Sequence, residues 1–64
     1  MIRINTLKYE AAHGRTPRQP REYQVSPWAF QLDMSTTPVF ITASYKDALR
    51  QAKALAQDSV TVLP

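Results

Sequence analysis

Apolar positions along this 64-residue chain take a helical spacing in one stretch, with strand-like patterns before and after it. From Tyr45 to Ala56 they recur at intervals of three and four: Tyr45, Ala48, Leu49, Ala52, Leu55 and Ala56. Such spacing builds one stripe of an α-helix and predicts a helix over residues 44–57. Ser44 stands where an N-cap hydroxyl accepts an orphan backbone N–H, and Asp47 follows as a short form of the capping box. The intervening Lys, Arg and Gln residues are good helix formers, so propensity agrees with pattern. A stripe rich in Ala lets the helix lie close on a sheet.

Upstream the period is two, with interruptions. Residues 2–10 predict a first strand in which Ile2 and Ile4 share one face and Leu7 and Tyr9 the other. The phase slips at Asn5-Thr6, where a bulge would return both pairs to one side. Residues 22–32 predict a second strand, with Tyr23 and Val25 on one face and Trp28, Phe30 and Leu32 on the other. Its break falls at Ser26-Pro27, and proline in a strand points to an edge or a bulge. After a turn from Asp33 to Pro38, the β-branched run Val39-Phe40-Ile41-Thr42-Ala43 predicts a third strand, antiparallel to the second. Val60 to Leu63 complete the set, parallel to the third strand by a right-handed crossover if the two share a sheet.

The expected order is β-β-β-α-β: a single small two-layer α+β domain over residues 1–64, with three or four strands packed by one helix. Phe30 and Phe40 are expected in its core, because so short a chain needs its largest side chains inside. One helix covers one face of a sheet, which leaves the other to water, a dimer mate or a partner.

Charge adds two candidate surfaces. Residues 11–21 form an irregular loop holding Gly14, Pro17 and Pro20, with Arg15, Arg18 and Arg21 at every third position. In a polyproline II conformation these guanidinium groups would stand about 9 Å apart along one edge. They would suit phosphates or an acidic protein face. On the helix, turns of 100° bring Lys46, Arg50, Lys53 and Gln57 onto one flank, with Asp47, Gln51 and Asp58 on the other. The net charge is +3. Residues 1–21 carry +4, from Arg3, Lys8, Arg15, Arg18 and Arg21 against Glu10, and the remainder −1. A basic front end favours an anionic partner.

The candidate chemistry is sparse. There is no cysteine, hence neither a disulfide framework nor a thiolate metal site, and a reducing compartment is natural. No apolar run approaches membrane-spanning length and the first residues lack a signal-peptide apolar core, so a cytoplasmic protein with no membrane association is expected. His13 has no ligand-spaced companion, the serines lack a nucleophile-elbow context, the carboxylates are scattered singly, and one glycine cannot build a phosphate loop. No enzymatic activity, metal or cofactor is expected. Trp28 and Phe30, two apart, would fit a platform for stacking bases on an open sheet face, against the competing reading that puts these large side chains in the core.

The reading is a small non-enzymatic binding module. Its expected role is that of a nucleic-acid-binding regulator, with Arg15, Arg18 and Arg21 on phosphates, Lys46, Arg50 and Lys53 as a second strip, and Trp28 as a stacking residue. The alternative is an inhibitor or adaptor of the kind phages and plasmids encode, binding a host protein or a nucleoprotein complex such as a CRISPR effector. A homodimer joined through the uncovered sheet face is a third possibility.

Overall fold

The computed structural model describes residues 1–17, 21–33 and 35–64, with Arg21 described in its backbone only. The elements run β1 (Arg3–Asn5), α1 (Leu7–His13), a 3-10 turn (Arg21–Tyr23), β2 (Val25–Leu32), β3 (Val39–Ser44), α2 (Tyr45–Leu55) and β4 (Ser59–Val62). The strands form one mixed sheet in the order β1-β4-β2-β3, with β1 parallel to β4 and β2 antiparallel to both its neighbours. This is a two-layer α+β domain.

The longer helix forms as its pattern predicts. Ser44 is extended, and its hydroxyl accepts the Asp47 N–H at 3.4 Å. Tyr45, Ala48 and Ala52 are buried, with Leu49 and Ala56 packed beside them; Leu55 lies at the margin and is exposed. The two fully enclosed alanines bring α2 down onto Trp28, Phe30, Val60 and Val62, which share the inward face of the sheet.

The N-terminal segment differs from its expected strand. β1 ends at Asn5, and the phase slip is the start of a second helix, α1. Asn5 Oδ1 accepts the Leu7 N–H at 2.9 Å, and the Thr6 hydroxyl donates to the Glu10 carboxylate. Gly14, in the left-handed region at φ 69°, ends the helix by donating its N–H to the Glu10 carbonyl at 2.7 Å. A glycine suits this position because a Cβ there is strained. A seven-residue helix, Leu7 to His13, with one buried residue, Tyr9, is too short to display a 3.6-residue period, so it passes for alternation.

The second expected break is absent. β2 pairs with β3 without interruption from Val25 to Phe30, Pro27 lying opposite Thr42. The Leu63 N–H reaches the Ala29 carbonyl at 2.9 Å, so the polar groups of Ala29, and of Pro27 two residues earlier, point to the β4 side. β4 has already ended there, and a proline without an N–H forfeits no ladder bond.

The same alternation separates the two phenylalanines. Phe30 faces α2 and is fully buried, whereas Phe40 shares its face with Thr42 and is 72 % exposed on the uncovered side. The expectation of both in the core holds for one. Val39, Ile41 and Ala43 take the inward positions of β3, and a strand cannot turn adjacent side chains to one face.

Candidate binding grooves on α2

Lys46, Arg50 and Lys53 are exposed along one flank of α2, as their spacing predicts. The 3-10 turn crosses beside this flank, and together they enclose a groove of about 350 Å³ lined by Glu22, Tyr45, Lys46, Leu49, Arg50 and Lys53. Tyr45 and Leu49 form its apolar floor. The cations rim it with one carboxylate among them.

The flank is less uniformly basic than the helical projection implies. Asp47, assigned to the far side, accepts from Arg50 Nη2 at 2.7 Å across one turn. Both side chains are at least half exposed, so the pair contributes little stability. Its effect is to hold the Arg50 head beside a compensating charge. Among the described residues Lys46 and Lys53 have no ion pair.

A second groove, of about 310 Å³, adjoins the first and shares Tyr45, Leu49 and Lys53 with it. Its other wall is Ile4, Thr6, Thr16 and Pro17. Pro17 is fully buried, so the segment expected to be an irregular loop is anchored at this point. Arg15 is exposed nearby in sequence, whereas Arg18 and Pro20 lie outside the described residues. Arg21 begins the 3-10 turn, so a polyproline II ladder does not extend through it.

Trp28 is 4 % exposed in the core cluster, with its ring centroid 4.8 Å from that of Tyr45 and 5.9 Å from that of Tyr9. It points inward from β2 and supplies no stacking platform on the open face. His13, expected as a solvated loop residue, closes α1 and stacks on Tyr9 at 4.2 Å. Tyr9, His13 and Trp28 line a third groove, of about 290 Å³, with Pro27, Phe40 and Leu63. The Tyr9 hydroxyl and Trp28 Nε1 are buried there without hydrogen-bond partners among the described residues.

One polar constellation was not anticipated. Asp33, at φ 50°, ends β2, and its carboxylate accepts the backbone N–H groups of Gln57 at 2.8 Å, Asp58 at 2.6 Å and Ser59 at 2.7 Å. These bonds, from Gln57 foremost, hold its pKa below the ordinary aspartate value. Asp33 thereby fastens the hairpin to the α2–β4 connection. Its role is structural. The one sequence signal is an aspartate at a strand end, where left-handed backbone is tolerated.

Among the described residues no group of three His, Asp or Glu side chains is placed to hold a metal ion, and no helix is long and apolar enough to cross a membrane. The chain matches no protein-family model, and neither the curated proteins nor the solved structures contain a match to it.

Proposed function

We propose that the protein is a non-enzymatic, cytoplasmic binding module that engages nucleic acid through the basic rim of the α2 groove. The reading rests on one observation: Lys46, Arg50 and Lys53 are exposed and converge on a single concave surface instead of dispersing around the helix. Convergent cations along a groove attract a phosphate chain, and they do so without reading its sequence. Arg15 and the arginines at 18 and 21 would extend the field at the loop. Trp28 has no part in it.

Glu22 and the floor of Tyr45 and Leu49 favour a second reading. Glu22 weakens the attraction for a phosphate chain, and cations around an apolar base also suit a protein surface whose acids flank an apolar patch, as an inhibitor or adaptor of a nucleoprotein complex would require.

Fluorescence anisotropy with labelled single- and double-stranded oligonucleotides, titrated between about 50 and 200 mM salt, separates the two. Three phosphate contacts give a log–log salt slope of about −2 for single strands and about −2.7 for duplex DNA. The variant Lys46→Ala/Arg50→Ala/Lys53→Ala should keep its fold and lose both the affinity and the slope. Equal affinity in the triple variant would remove the α2 groove as the contact surface, and the absence of oligonucleotide binding at low salt would remove nucleic acid as the partner and leave the protein surface.

A further inference from the structure

The two edges of the sheet are built differently. β1 is three residues long and carries Arg3, and shortness and charge are the usual protections of an edge. β3, at the other edge, runs for six residues, Val39-Phe40-Ile41-Thr42-Ala43-Ser44, without a charge, a proline or a bulge. Because Ala29 and Pro27 turn their polar groups away from β3, their partners Phe40 and Thr42 turn theirs away from β2. The N–H and C=O of Phe40 and Thr42 therefore point off the sheet, and no described backbone group meets them.

We infer that β3 pairs antiparallel with β3 of a second copy about a two-fold axis through Ile41, joining two four-stranded sheets into one. The register follows from the ends of the strand. With Ile41 on the axis, Phe40 faces the second copy's Thr42, and each such pair exchanges both of its hydrogen bonds. The next outward pair is Pro38 with Ser44. Pro38 has no N–H to give, and the Ser44 carbonyl, at the N-cap of α2, is already committed to the helix. The group missing on one strand is thus not required by the other, while the Ser44 N–H still meets the Pro38 carbonyl.

Neighbouring registers fail this match. A shift that sets Thr42 against Pro38 leaves the Thr42 carbonyl without a donor. A shift that sets Phe40 against Ser44 leaves the Phe40 N–H without an acceptor. Side chains agree with the central register. Ile41, half-buried, meets its own copy on the helix side. On the open side Phe40 lies over the second copy's Thr42, with the other Phe40 at the diagonal position. That contact covers part of the Phe40 ring, which is largely exposed in the single chain.

A chain without cysteine makes the register directly measurable. Facing residues that do not exchange hydrogen bonds lie about 4.5 Å apart at Cα, within disulfide reach. The single variant Ile41→Cys, oxidised with glutathione disulfide, should double its mass from 7.3 kDa to a covalent dimer. Val39→Cys and Ala43→Cys should each stay single, because identical residues two places off the axis are separated by roughly 13 Å. Mixed together, those two should cross-link to each other. Thr42→Pro removes an outward N–H and no ladder bond, and in sedimentation it should shift the wild-type dimer to monomer. A folded Ile41→Cys that remains monomeric on oxidation overturns the inference, as does a wild-type chain that sediments as a monomer at millimolar concentration. Equal cross-linking at positions 39, 41 and 43 overturns it too, since that describes unspecific aggregation of an open edge.

Discussion

Truncating Phe30 and Phe40 to alanine should have opposite consequences, although the two residues are chemically identical and sit on adjacent strands. Phe30 is fully buried against α2, and Phe40 is 72 % exposed. Burying a phenylalanine removes at least ~150 Å² from water, which at about 25 cal/mol per Å² is ~4 kcal/mol. Phe→Ala substitutions in cores cost about 3–5 kcal/mol once the cavity is included. A chain of 64 residues has a total stability of roughly 3–10 kcal/mol. Phe30→Ala therefore consumes most of it, whereas Phe40→Ala, measured in the dilute monomer, should stay within about 0.5 kcal/mol. Urea titration followed through Trp28, the single tryptophan, and by far-UV circular dichroism reads both. With a slope near ~1 kcal/mol per molar urea, Phe30→Ala should lose several molar from its midpoint or be unfolded at the outset. Phe30→Leu should fall between. A Phe40→Ala cost equal to that of Phe30→Ala would refute the assignment of faces in the β2–β3 hairpin.

Other perturbations test other contacts. Ser44→Ala should cost about 1 kcal/mol through the lost cap of α2, read in the same titration. Gly14→Ala should destabilise by roughly 1 kcal/mol, because alanine is strained in the left-handed backbone that ends α1. For Asp33, whose folded pKa is lowered by three backbone N–H groups, the stabilisation is present above the unfolded value of about 3.9 and lost as pH falls through the folded one. Wild-type thermal stability should accordingly drop in acid below about pH 4, and Asp33→Asn should flatten that part of the curve; an unchanged acid limb in Asp33→Asn would show that other carboxylates set it.

What could be read from the residues depended on how far each signal extends. The helix α2 spans three turns, long enough for its apolar stripe, cap and basic flank to agree with one another. The alternation of β2 was correct on both sides of Pro27, and the apparent break arose from taking proline as an interruption when the neighbouring strand had already stopped. α1 went unseen because two turns hold a single buried residue, Tyr9, although Gly14 and the Glu-Ala-Ala run marked it. Phe40 was misplaced by its hydrophobicity, while its parity with Thr42 was the better guide. For the groove, the three cations were readable from spacing alone. Glu22 joins them from far along the chain, as Pro17 joins Lys53 in the adjoining groove, and no local pattern encodes such meetings. The Asp33 clamp escaped for the same reason.

The position of β4 bears on how the chain assembles during synthesis. It is the last element in sequence, yet it lies inside the sheet, between β1 and β2. The first strand waits for it: Ile4 finds its neighbour only in Val60, across nearly the entire sequence. As the polypeptide emerges, the β2–β3 hairpin and α2 can meet early, since their contacts are local. They would form an incomplete layer with Trp28 and Phe30 uncovered on one side. Closure then depends on β4, and the longest loop, from β1 to β4, is shut last. A variant truncated before Ser59 should be cut by protease faster than the full sequence, because β1 loses its neighbour in the sheet and β2 one of its two.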